Sequence, residues 1–120
     1  MNTELALIDD WYELTRYLAE RVATFPRAHR YTLGATIANQ CDALLADLIR
    51  ARYMPRGAAK LDLLRAVNVE LEVLRFRLRL AHDLKALAHN AHGHALERLQ
   101  GCGRQLGGWV RSLEPKAEPK

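Results

Sequence analysis

The chain of 120 residues has no long apolar run and few of the residues that interrupt helices, with four prolines and seven glycines. Because a membrane-spanning helix needs about 20 consecutive apolar residues, the sequence predicts none. Residues 1–25 lack a basic segment followed by an apolar core, so we expect no signal peptide and a cytoplasmic location. In that compartment the two cysteines, Cys41 and Cys102, are expected to be reduced and buried.

Catalytic motifs are also missing. The few serines and threonines fit no nucleophile elbow, and the chain has neither a glycine-rich phosphate loop after a strand nor the Glu-x-x-His pair of di-iron bundles. Since an enzyme needs converging reactive groups, we predict a protein without catalytic activity or cofactor. His89, His92 and His94 are interpreted as a polar turn without metal, because no carboxylate or cysteine completes a convincing local ligand set; zinc binding is the alternative.

Apolar residues recur at helical spacing along most of the chain, and no strand pattern occurs. The pattern predicts four helices, over about residues 5–24, 28–53, 60–87 and 95–113. Breaks at Phe25-Pro26, Met54–Gly57 and His89–His94 separate them. Because the connections are short, we expect an all-α fold, an antiparallel up-down-up-down four-helix bundle over residues 1–113, followed by a polar tail at 114–120.

The last predicted helix contains an unusually large number of glycines for a helix. Its inward seam is predicted to be Leu96, Leu99, Gly103, Leu106, Val110 and Leu113, with Cys102 and Trp109 beside it. A glycine inside a helix costs roughly 0.5–1 kcal/mol relative to alanine. We therefore expect close backbone packing to compensate for Gly101, Gly103, Gly107 and Gly108.

The segment Lys60–Leu87 carries two apolar stripes instead of the one that a small bundle requires. The first stripe is Leu64, Val67, Leu71, Leu74, Leu78 and Ala81. The second stripe is Val69, Val73, Phe76, Leu80, Leu84 and Leu87. The two are two residues out of step, which is about 200° around a helix.

Four helices leave no further element to cover a second apolar face of the third helix. We therefore expect one stripe to close the bundle and the other to form a subunit interface. The preferred assignment places the second stripe at the interface, and the opposite assignment is the alternative. The predicted interface residues are Val69, Val73, Phe76, Leu80, Leu84 and Trp109.

Charge is unevenly distributed along the chain, whose formal net charge is +4. Residues 1–25 have two basic and five acidic residues, whereas residues 26–120 have 16 basic and nine acidic residues. The planar fork of arginine binds phosphate through bidentate, charge-assisted hydrogen bonds. The predicted nucleic-acid-binding residues are Arg75, Arg77, Arg79, Arg65, Arg27, Arg30, Arg104 and Arg111. The alternative is that Glu72–Arg75 and Arg79–Asp83 form intrahelical pairs on a solvated face.

Three motifs in this order resemble the accessory variability determinant (Avd) proteins of diversity-generating retroelements, which are small bacterial four-helix-bundle proteins. They are Phe25-Pro26-Arg27 with Arg30-Tyr31, then Leu74–Arg79, then Gly103–Trp109, and the resemblance covers about residues 8–113. The resemblance implies a homopentamer with a basic surface and no catalytic activity. It also implies binding to RNA or DNA and association with a reverse transcriptase during mutagenic copying of a template RNA. From the short apolar runs we expect no membrane partner.

Two alternatives to the Avd resemblance remain. Bundle proteins encoded within ribosomal RNA intervening sequences are similar in their first half, but they carry a serine- and asparagine-rich stretch in the second helix. Here that stretch is Gly34–Cys41, a poor match that favours the Avd resemblance. The other competing class is a structural protein-interaction module whose bundle face binds a partner helix.

Overall fold

The computed structural model describes residues 3–115, which are all-helical, without a strand. The long helices are α1 (Thr3–Ala23), α2 (Ala35–Tyr53), α3 (Ala58–Asp83) and α4 (His89–Leu113). Helix α1 packs against α2 and α4, and α3 packs against the same two helices, so the four surround one core. The predicted all-α fold of four helices is confirmed. Most of the predicted tail, 114–120, lies outside the described residues.

Helix α1 forms the core as its apolar spacing predicts. Its buried residues are Leu7, Ile8, Trp11, Leu14, Leu18 and Val22. The Trp11 side chain is fully buried, and its Nε1 donates a hydrogen bond to the Cys41 carbonyl oxygen of α2 at 2.9 Å. Cys41 and Cys102 are free and buried, as expected, and burial raises the pKa of each thiol to about 12. Both thiols are therefore protonated and unreactive near neutral pH.

The connection between α1 and α2 is more complex than one predicted break. After Pro26, a single helical turn (Arg27–His29) leads into a π-helical segment (Arg30–Gly34) that continues into α2. Gly34 is buried there against the end of α1. A Cβ at Gly34 would lie 2.9 Å from Val22 Cγ1 and 3.1 Å from the His29 carbonyl oxygen. Only a residue without a side chain fits this close approach.

Replacing Gly34 by alanine is expected to lower the free energy of unfolding by about 1–3 kcal/mol, because the new methyl group overpacks against backbone as well as side chain. Chemical denaturation followed by circular dichroism measures the change. Gly93→Ala is the matched control, since no atom lies within 4 Å of its Cβ position and the change gains about 0.5–1 kcal/mol of helix propensity. A Gly34→Ala variant as stable as the control would show that α2 is not held this tightly.

The break between the third and fourth helices lies earlier than predicted. Helix α3 ends at Asp83 rather than Leu87, and α4 begins at His89, so the predicted histidine turn is wrong and those residues are helical. Lys85 reverses the chain with φ 61°, a conformation that glycine usually marks in sequence. Leu87 follows the turn and is buried in the core, so it does not belong to the second stripe on α3.

The inward face of α4 keeps Leu99 and Leu106 of the predicted seam, whereas its other positions are shifted by one residue. Its buried residues are Ala95, Leu99, Cys102, Leu106 and Trp109. The predicted residues Leu96, Gly103, Val110 and Leu113 are only half-buried. The close packing expected at the glycines is not found within the chain. Cβ atoms at Gly101, Gly107 and Gly108 would meet only arginines of α4, and one at Gly103 would reach a Leu71 methyl group at 4.0 Å.

Candidate nucleic-acid and subunit interface

The structure distinguishes the two apolar stripes of α3. Every residue of the first stripe is buried, so this stripe closes the bundle. The second stripe faces outward: the exposed fractions are 64% for Val69, 52% for Phe76, 47% for Leu80 and 43% for Leu84, and Val73 is half-buried. Because large exposed apolar patches mark interaction surfaces, this face is the candidate subunit interface.

A groove extends the apolar surface from α3 to α4. Its volume is about 820 Å³, and Val69, Leu71, Leu96 and Leu99 form its apolar lining. Arg75 from α3 and Arg104 from α4 also line it. The structure thus brings together two of the predicted phosphate-binding arginines, which are 29 residues apart in sequence, beside an apolar floor.

The predicted interface residue Trp109 differs from the second stripe because it is only 8% exposed. Lys60 is also buried, and its Nζ lies 5.4 Å from the Trp109 ring centroid, within the range of a cation–π contact. The same Nζ donates to the Met54 carbonyl oxygen at 3.4 Å and lies 3.9 Å from a Glu4 carboxylate oxygen. Trp109 therefore closes one end of the bundle and leaves little surface for another subunit.

Two of the α3 arginines form the intrahelical pairs that the sequence offered as an alternative. Arg75 Nε donates to both Glu72 carboxylate oxygens, at 3.2 and 3.1 Å, and its guanidinium lies 4.7 Å from the Phe76 ring centroid. This hydrogen bonding lowers the pKa of Glu72. Arg79 Nε lies 3.8 Å from an Asp83 oxygen. Such exposed pairs are weak and solvent-screened, so a phosphate can compete with the carboxylate.

Among the described residues, the other predicted arginines have no acidic partner. Within residues 3–115, no carboxylate oxygen lies within 4 Å of Arg65, Arg77, Arg104, Arg111, Arg27 or Arg30. Arg30 is nevertheless held in place, since its Nε donates to the Phe25 carbonyl oxygen at 3.2 Å. Arg27 and Arg30 lie in the α1–α2 connection, whereas the other predicted arginines lie on α3 and α4. The predicted nucleic-acid-binding arginines are therefore not confined to one helix.

Three histidines meet where α3 ends and α4 begins. The His82 ring stacks on His92 with centroids 4.6 Å apart, and His89 Nδ1 lies 3.4 Å from His82 Nε2. Burial lowers the pKa of His92, and the neighbouring imidazoles lower it further. His94 instead packs against Tyr17. In the described part of the chain, no three His, Cys, Asp or Glu side chains converge as a metal site. The heptad spacing from His82 to His89 was the only sequence signal of this contact.

Comparison with known proteins identifies the family. The bAvd-like family model matches residues 6–113, from the first turns of α1 to the last residue of α4. The chain belongs to the bAvd-like family. This family match confirms the resemblance to Avd proteins that the three motifs indicated. Neither the curated proteins nor the solved structures provide a match.

Membership of the bAvd-like family indicates an accessory role in a retroelement. In this bAvd-like chain, exposed arginines and an exposed apolar face lie on a helical scaffold. Among the described residues, no helix is both long enough and apolar enough to cross a bilayer.

Proposed function

We propose that this bAvd-like chain is a non-enzymatic accessory protein that binds nucleic acid. Its partners are a retroelement reverse transcriptase and the template RNA or cDNA of mutagenic reverse transcription. The family match over residues 6–113 carries this proposal. The arginines that have no acidic partner within residues 3–115 support it, because a guanidinium without a bound carboxylate is available to a phosphate.

The proposed assembly is a homopentamer of antiparallel up-down-up-down bundles. Gln105 Nε2 donates to an Asp10 oxygen at 2.7 Å, and His94 packs on Tyr17, so residue numbers fall along α4 as they rise along α1. This register supports opposite helix directions. The exposed second stripe on α3 supports a subunit interface. Five copies at +4 each carry a formal charge of about +20, which attracts nucleic acid.

Binding to a labelled RNA is expected to weaken steeply between about 50 and 200 mM salt, because phosphate contacts release counterions. Changing Arg75, Arg77 and Arg79 together to alanine should flatten the slope of log affinity against log salt by about 2, from three contacts at about 0.7 each on a single strand. Fluorescence anisotropy measures affinity, and circular dichroism and light scattering check the fold and molar mass.

The matched control removes three other exposed positive charges, Arg16, Lys85 and Arg98, and should change the slope less. Tight binding that ignores salt would contradict a phosphate mechanism. If the variant of Arg75, Arg77 and Arg79 binds RNA as tightly as the unchanged protein, these three arginines have a structural role. A stable assembly without affinity for nucleic acid at low salt would instead favour a structural interaction module. Co-purification with the reverse transcriptase of the same element tests the protein partner.

A further inference from the structure

Two tyrosines stand on the surface with an arginine against the ring. The exposed fraction is 72% for Tyr31 and 80% for Tyr53. The Arg30 guanidinium carbon lies 5.8 Å from the Tyr31 ring centroid, and that of Arg52 lies 5.9 Å from the Tyr53 centroid. Neither ring belongs to the core, so packing of the bundle does not explain them.

The charge around both tyrosines has one sign. Residues 21–41, which contain Tyr31, and residues 48–61, which contain Tyr53, have no Asp or Glu and three arginines each. Residues 98–113 also have three arginines and no Asp or Glu, but they contain no tyrosine. An exposed aromatic ring beside an arginine, in a stretch of sequence without acidic residues, matches the two requirements of single-stranded nucleic acid, which are a face for base stacking and cations for the backbone.

The remaining two tyrosines lack this combination. Tyr12 is 52% exposed, but Asp9, Asp10 and Glu13 surround it in sequence. Tyr17 is half-buried, with Arg21 5.6 Å and His94 4.6 Å from its ring centroid. The His94 ring therefore already packs against Tyr17, which distinguishes it from Tyr31 and Tyr53. Tyr12 and Tyr17 provide internal comparisons for the two exposed Arg–Tyr pairs.

The Tyr31 site is also preorganised. Arg30 is anchored by its hydrogen bond to the Phe25 carbonyl oxygen, and Tyr31 lies in the π-helical segment held against α1 by Gly34. Short π-helical segments recur at functional sites because they redirect side chains from the regular helical path. A ring and a guanidinium that are already positioned lose less entropy when a base binds.

We propose that Tyr31 and Tyr53 are stacking platforms for unpaired bases of single-stranded RNA or DNA, with the neighbouring arginines contacting phosphates. This inference rests on the proposed nucleic-acid function and adds a preference for single strands over duplexes. A duplex keeps its bases stacked on one another, whereas an unpaired base can place its face on an aromatic ring. Stacking on one aromatic side chain changes affinity by about 5- to 150-fold.

The test compares a labelled single-stranded RNA of about 20 nucleotides with the same sequence as a duplex, at one fixed salt concentration. The variant Tyr31→Ala with Tyr53→Ala is expected to lose at least about fivefold in affinity for the single strand and to change little on the duplex. Tyr31→Phe with Tyr53→Phe should retain binding because the aromatic faces remain. Tyr12→Ala is the control for loss of an exposed tyrosine and should match the unchanged protein.

The outcomes separate the stacking inference from the proposed function. If the unchanged protein binds neither the single strand nor the duplex, both the proposed function and the stacking inference are wrong. If the unchanged protein binds both probes and the alanine variant binds them equally well, the stacking inference alone is overturned. Equal losses on single strand and duplex would also overturn it, because they indicate a general electrostatic role. Loss of reverse-transcriptase binding with unchanged RNA affinity would assign the tyrosines to a protein contact and overturn it too.

Discussion

Replacing Val69 and Phe76 together by aspartate is expected to dissociate the proposed homopentamer into single folded chains. Both side chains are more than half exposed in the single chain, so the charges cost little in folding. In a subunit interface the same positions would bury two carboxylates in place of apolar side chains, at a penalty of several kcal/mol per ion. Light scattering coupled to size-exclusion chromatography measures molar mass, and circular dichroism checks helicity.

The matched control keeps the shape of both side chains and adds no charge. Val69→Thr with Phe76→Tyr retains most of the apolar body of each residue, and should lower the stability of the assembly without dissolving it. If the aspartate variant keeps the molar mass of the unchanged protein, the second stripe does not form the interface. If the unchanged protein is itself a monomer, the proposed homopentamer fails independently of any variant.

Cyclic symmetry sets a further condition on this interface. In a ring of five, each subunit uses two different surfaces, one against each neighbour. In the proposed homopentamer, the second stripe on α3 would supply one such surface. The groove between α3 and α4 adjoins the stripe through Val69, and it adds Leu96 of α4 to the apolar area. Arg75 and Arg104 line the same groove, so assembly would place positive charge from several copies along the seams between subunits.

The periodicity of the sequence was sufficient to predict the bundle, because each long helix has an apolar stripe at helical spacing. On α3 it also predicted that two faces are apolar. It left open which stripe faces inward, since Leu74 of the first stripe and Phe76 of the second are equally suitable for a core. The structure decides this through contact with α2 and α4, which a pattern within one helix does not contain.

The errors came from features that periodicity does not encode. Lys85 takes a left-handed conformation without a glycine to mark it, so the predicted end of α3 was four residues late. On α4, Leu99 and Leu106 are buried as predicted, but Cys102 and Trp109 fill the core instead of the neighbouring Gly103 and Val110. The Glu72–Arg75 pair was visible from its i,i+3 spacing, whereas Arg75 and Arg104 share a groove only through the register of α3 with α4.

Trp11→Ala is expected to lower the free energy of unfolding by about 3–5 kcal/mol, because it leaves a cavity at the centre of α1. The indole is fully buried and also loses its hydrogen bond to the Cys41 carbonyl oxygen, which links α1 to α2. A small domain has about 5–15 kcal/mol in total, so this one change removes a large part of its stability. Urea denaturation followed at 222 nm measures the effect.

The neighbouring residue supplies the control. Tyr12 points outward with 52% of its surface exposed, so Tyr12→Ala should change the free energy of unfolding by no more than about 0.5 kcal/mol. All proteins are compared at one concentration, because the stability of an oligomer depends on the concentration of its subunits. Equal stability of the two variants would mean that α1 does not pack through Trp11. The arginines and apolar stripe of α3 would then lie on a differently packed bundle, because α2 and α4 both contact α1 and α3.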